Sequence, residues 1–164
     1  MSNRPLWLPE ILSVDGEWED ILPNLYFVFE KDFPRGHPMY DNRPVWWNRT
    51  IRPGEKYEEG FWHLITRSDK QTCSRLLDPR RAERLPWCAP TILHSDATEI
   101  QIWDYSESSG RIRTYLWLQD YDYLVVLEKR HQRGRAIAFL ITAYYVDGER
   151  TRENLRRKFQ KRLT

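Results

Sequence analysis

Residues 99–146 read EIQIWDYSESSGRIRTYLWLQDYDYLVVLEKRHQRGRAIAFLITAYYV, and the fold class turns on this stretch. Four runs rich in Ile, Val, Leu, Tyr and Trp alternate with three breaks, ESSG, the acidic turn at 120–122 and HQRGR. Runs of this length with turns between them predict four strands in an antiparallel meander. In RIRTYLWLQ, Ile112, Thr114, Leu116 and Leu118 share one face, and Arg111, Arg113, Tyr115 and Trp117 share the other. One sheet face is then aliphatic, and the other aromatic and cationic. The same parity in the last run sets Ala138, Leu140, Thr142 and Tyr144 against Ile137, Phe139, Ile141, Ala143 and Tyr145. Thr142 and Tyr144 become neighbouring hydroxyls, although both residue types are also good strand formers.

Beyond Gly148, Leu155, Phe159 and Leu163 recur every four residues in ERTRENLRRKFQKRLT. That spacing predicts a helix whose stripe lies on the sheet, leaving Arg156, Arg157, Lys158, Lys161 and Arg162 largely exposed. Upstream, LLDPRRAERLPW carries helix punctuation: Asp78 as cap, Pro79 at the first position, and Pro86 as a stop after Leu85. Arg80, Arg81 and Arg84 fall three and four apart on that short helix, so two guanidinium groups point at one place. The first 23 residues offer LPEILSV as their one helical candidate. NLYFVFE (24–30) is expected as a strand, and FPRGHPMYDNRP as a surface loop. The run Phe61–Thr66 has no decisive period.

The expected architecture is α+β in a single domain. An N-terminal helical or irregular segment precedes a four-stranded antiparallel sheet with a basic C-terminal helix. The 164 residues, 40% hydrophobic and 14% aromatic, suffice for one core. Charge is uneven: the first 60 residues carry 7 Lys/Arg against 11 Asp/Glu, the remainder 19 against 13, and the last 15 residues 7 against 1. A basic end suits a polyanion. Most of the eight tryptophans are expected in or beside the core, with stacking on bases as the alternative use. Cys73 and Cys88 have metal spacing with nothing and are expected as buried, reduced thiols. With no apolar leader and no segment of membrane-spanning length, a cytoplasmic protein is expected.

Phosphate-binding glycine loops, H-E-x-x-H and G-x-S-x-G are missing from the sequence, which leaves acid–base chemistry without a metal or other cofactor. His37, His94 and His131 lie in polar or turn-rich surroundings. His63, enclosed in GFWHLITR, is the candidate acid–base group, with a structural role as the alternative. Converging with an arginine of 80–84 and with Thr142 and Tyr144, it would suit RNA cleavage. His63 would serve the ribose 2′-hydroxyl or the leaving 5′-oxygen, arginine would hold the phosphate, and the two hydroxyls would donate to phosphate oxygens. Arg80, Arg113, Arg156, Lys158 and Arg162 are the candidate RNA-backbone contacts.

The succession FWHLIT, DPRRAERLPW, RTYLWLQDYDYLVVLEKR and FLITAYYV, followed by a basic helix, resembles the phage and prophage branch of the barnase, EndoU, colicin and RelE-like (BECR) ribonucleases. The resemblance covers roughly residues 47–162, making 1–46 an N-terminal arm or extension and 47–164 the nuclease domain. It implies a metal-independent endoribonuclease, a toxin or phage effector, acting on RNA and often tRNA. It assigns His63 to acid–base work, Arg81 or Arg84 to the phosphate, and Thr142 with Tyr144 to hydroxyl contributions. An immunity or antitoxin protein would be the partner of such a toxin. The competing expectation is a catalytically inert phage or mobile-element protein that binds nucleic acid or another protein through its basic helix and aromatic sheet face.

Overall fold

A computed structural model describes residues 4–164. The chain is α+β. The four expected strands are present as β5 (Ile100–Ser106), β6 (Ile112–Leu118), β7 (Tyr123–Gln132) and β8 (Arg135–Tyr145), paired as an antiparallel meander. They are part of a larger sheet. A hairpin of β1 (Met39–Tyr40) and β2 (Arg43–Trp46) extends it, and β2 runs parallel to β8 through Val45 and Trp46. The sheet is therefore six-stranded and mixed, in the order β1-β2-β8-β7-β6-β5, rather than four-stranded and antiparallel. The expected loop at 33–44 thus contains strand residues. Asp41 and Asn42 both take positive φ, the backbone of a tight hairpin turn that these residue types tolerate.

NLYFVFE is helical, inside α1 (Trp18–Asp32). Local alternation suggested a strand, but Ile21, Leu25 and Phe29 repeat every four residues over a longer span, and all three are buried while Phe27 faces solvent. LPEILSV forms no helix; it runs irregularly over the core with Leu8 buried, its Leu12 N–H donating to Glu83 O at 2.7 Å. The Phe61–Thr66 run lies mostly in α2 (Glu59–Ile65), which buries Phe61, Leu64 and Ile65 on one side. Next come the short hairpin strands β3 (Thr66–Ser68) and β4 (Arg75–Leu77), α3 (Pro79–Glu83) and α4 (Leu85–Leu93). Asp78 caps α3 by accepting from Arg80 N and Arg81 N. Pro86 opens α4 instead of ending the helical region, since a proline costs nothing in a first turn.

The sheet is covered on both faces. The aliphatic face, with Leu116, Leu118, Val125, Leu127 and Leu140, packs with residues of α1, α2, α3 and α4 in one large cluster, so residues before and after position 46 share a core. The aromatic face, with Trp103, Tyr115 and Trp117, is covered by α5 (Glu149–Gln160) through Leu155 and Phe159. Leu163 lies past the helix end and is exposed. Among the described residues no helix is long and apolar enough to cross a membrane.

One irregularity redirects β8. Leu127 pairs with Leu140 but Val126 pairs with Thr142, so Ile141 is an extra residue, a β-bulge. Strict parity fails there: Ala138 and Leu140 belong to the aliphatic core, while Thr142 and Tyr144 lie opposite Val126 and Leu124, on the face that α5 covers. Thr142 and Tyr144 do share a face, but not with Ala138 and Leu140.

Candidate functional site

Beyond Phe139 the edge of β8 is free of β2, and α2 and α3 lie against it instead. A cleft of about 270 Å³ opens there. Its walls come from α2 (Glu59, His63), the β3–β4 hairpin (Thr66, Arg67, Arg75), Arg52 of the preceding loop, Arg81 of α3, and Ile141 and Thr142 at the bulge. The bulge therefore places Thr142 in the cleft wall.

Helix α2 carries the acid–base candidates. It has no side-chain cap; its first N–H groups are satisfied by loop carbonyls, Glu59 N donating to Thr50 O at 2.9 Å and Gly60 N to Asn48 O at 2.8 Å. Glu59 is only 5% exposed. Arg75 donates to both of its carboxylate oxygens, at 2.7 and 2.9 Å, and Arg52 Nε lies at 2.8 Å. A buried carboxylate held by two guanidinium groups meets the condition under which burying a charge is tolerable. One turn on, His63 Nε2 faces Glu59 Oε2 at 3.8 Å. Burial pushes the His63 pKa below its ordinary value; Glu59 opposes this, while Arg75, Arg81 and Arg52 add to it.

Arg81 Nη1 donates to the main-chain carbonyl of His63 at 3.0 Å, and the Thr142 hydroxyl approaches the same oxygen at 3.5 Å. That carbonyl lies in the last turn of α2, where backbone acceptors lack helical partners. Arg81 and Thr142 thus meet His63 through its backbone and flank its imidazole from the α3 and β8 side. Tyr144 is not in the cleft wall. Its half-buried ring lies under Arg81, 5.3 Å from the guanidinium, and burial raises its phenol pKa although Arg81 pulls the other way.

The remaining sequence candidates lie outside the cleft wall. Arg84 turns from the cleft to Glu83 at 2.6 Å and stacks over Tyr145, which Arg80 also covers. Arg113 lies within 4.0 Å of Glu128, and Arg156 pairs with Glu149 at 2.7 Å. Arg162 folds back on Phe159. Lys158, expected to be exposed, is half-buried on the aromatic face, bonded to Tyr115 at 2.8 Å and Glu107 at 3.3 Å; Tyr115 also donates to Glu107. Cys88 is buried, but Cys73 is exposed at the cleft mouth, because the tight β3–β4 turn leaves no core for it.

Sequence reading passed over Glu59, Arg52, Arg67 and Arg75. A signal for the first existed, since Glu59 and His63 stand four apart on a stretch that can be helical. The arginines have none, because loop and hairpin residues converge only through tertiary structure. The cleft as a whole presents four guanidinium groups around one buried carboxylate and one exposed imidazole. Such an arrangement can attract an anion and pass a proton beside it. Compared with family models, with curated proteins and with solved structures, the chain matches none.

Proposed function

We propose that the chain is a metal-independent endoribonuclease of the BECR type, acting in the cytoplasm as a toxin or phage effector, with the cleft beside the β8 bulge as its active site. The observation that carries this reading is the His63–Glu59 pair set among Arg52, Arg67, Arg75 and Arg81. With its pKa held below 6.5, His63 is neutral at pH 7 and able to accept a proton. Its Nε2 faces Glu59, so Nδ1 takes the proton of the ribose 2′-hydroxyl. The 2′-oxygen attacks the adjacent phosphorus, the bond to the 5′-oxygen breaks, and the products are a 2′,3′-cyclic phosphate and a 5′-hydroxyl strand. The leaving oxygen draws its proton from solvent at the open cleft.

Glu59 steadies the imidazolium that forms. The Glu59 carboxylate is buried and taken up by two guanidinium groups, which leaves the exposed imidazole as the group that meets substrate. Arg81 and Arg67 supply charge for the phosphate oxygens, where negative charge grows in the transition state. Tyr144 acts one layer back, by supporting Arg81. tRNA is the target class that the family resemblance favours, with an immunity or antitoxin protein covering the cleft. The test is total RNA incubated with purified protein in EDTA. Fragments ending in cyclic phosphates are expected, and His63→Ala should stop their formation. RNA left intact, or cut equally well by His63→Ala, overturns the assignment.

A further inference from the structure

A second cavity, about 550 Å³, adjoins the cationic cleft and shares Thr66 and Arg75 with it. Its character is different. The rings of Trp18, Tyr57 and Trp62 line it together with the aliphatic side chains of Leu22 and Leu77. Trp62 and Tyr57 stand edge to face, 5.9 Å apart at 62°. Arg75 forms the boundary: its guanidinium stacks 4.8 Å over the Trp62 ring while its nitrogens hold Glu55 and Glu59. One arginine therefore has an aromatic chamber beside it and the acid–base pair of the cleft at its tip.

We infer that this chamber binds an unpaired nucleobase of the strand whose phosphate occupies the neighbouring cleft, which makes single-stranded or looped RNA the substrate class; this rests on the nuclease reading above. A nucleotide joins an anionic phosphate to a flat π-face over the span of one ribose, and the adjoining sites offer a complement to each. Aromatic side chains take bases by stacking, and a base reaches such a chamber only when it is not stacked and paired within a helix. The size also fits, since pockets for small organic groups run from roughly 300 to 1,000 Å³. The rings accept a π-face of any base, so the site selects for an unpaired base rather than for its identity.

The probe is a short 2′-O-methyl oligoribonucleotide, which cannot be cleaved, compared with copies that each lack one base, with binding followed by fluorescence anisotropy. On the unaltered chain, removing one particular base should weaken binding roughly 5- to 150-fold, the range for losing one stacked base, while removing the others has little effect. Trp18→Ala should bind the intact strand correspondingly more weakly and be indifferent to that removal. The comparison on the unaltered chain does not depend on the variant folding. Binding that falls with salt and with Arg67→Ala, yet ignores every base removal, overturns the chamber and leaves the nuclease reading standing. Base-dependent binding without cleavage of ordinary RNA overturns the nuclease reading and leaves the chamber. A strand that does not bind overturns both.

Discussion

Glu59 and His63 stand one helical turn apart on α2, the carboxylate buried and the imidazole open to the cleft, with Oε2 and Nε2 separated by 3.8 Å. The two groups have different jobs because their surroundings differ. Arg75 and Arg52 hold the Glu59 carboxylate in place, while burial, with the same arginines adding to it, makes a positive charge on His63 unfavourable.

Glu59→Gln keeps the side-chain volume and removes the charge. Arg75 keeps Glu55, at 3.0 Å, and Arg52 is well exposed, so the loss should fall below that of a fully buried pair. Breaking a buried pair costs roughly 3–5 kcal/mol, and here about 2–3 kcal/mol is expected in urea unfolding. The His63 titration should also move further down in pH, since Glu59 is the group that raises it. An unchanged titration would separate the two residues functionally.

The depressed His63 pKa fixes a sign for stability. A histidine that resists protonation when folded adds nothing above the unfolded value near 6.5, where it is neutral in both states. As pH falls through 6.5 toward the folded pKa, the unfolded chain binds more protons and stability is lost. His63→Gln should therefore show a shallower loss than wild type between about pH 7 and 5. Cleavage by wild type should persist below pH 6.5 before the base is lost, which a pH profile of kcat/KM checks.

Arg81 and Thr142 both reach the His63 carbonyl, with unequal geometry. Thr142→Ala loses a long contact, so folding should change by less than about 1 kcal/mol. Arg81→Ala should lower kcat roughly 10²- to 10³-fold, the scale for one transition-state donor. Tyr144→Phe retains the ring under Arg81 and should cut RNA more slowly only insofar as its hydroxyl positions the guanidinium. Loss of activity that merely tracks loss of structure, read by circular dichroism on the same samples, would count against all three roles.

The meander and its two unlike faces are legible in residues 99–146 because period-two alternation is a local property. Helix α1 was less so: seven residues of NLYFVFE alternate well enough for a strand, and only the wider stripe through Ile21, Leu25 and Phe29 reveals the helix. Strand β2 pairs with β8 across more than 90 intervening residues, a partnership that no short window contains. Of the sequence candidates for the site, the fold brings His63, Arg81 and Thr142 to one cleft and leaves Arg84 and Tyr144 outside it; the Ile141 bulge, which shows no sequence signal, is what turns Thr142 to the cleft. Arg52, Arg67 and Arg75 look like ordinary surface cations until the hairpin and loop fold over α2.

Gly60 tests whether the seat of α2 matters to the site. A Cβ there would lie 2.8 Å from both Cβ and Cδ1 of Trp47 and 3.1 Å from Asn48 O. Trp47 is buried against Phe29 and Phe33, so it has little room to yield. The glycine lets α2 approach closely enough for its first N–H groups to reach the carbonyls of Asn48 and Thr50. Gly60→Ala should cost about 1–3 kcal/mol through overpacking, despite the better helix propensity of alanine. Because Glu59 is its immediate neighbour and His63 lies three residues on, the displaced helix should also lower cleavage more than the stability loss accounts for. Urea unfolding and RNA cleavage measured on the same variant decide it: a stable, fully active Gly60→Ala would show that the close approach is dispensable.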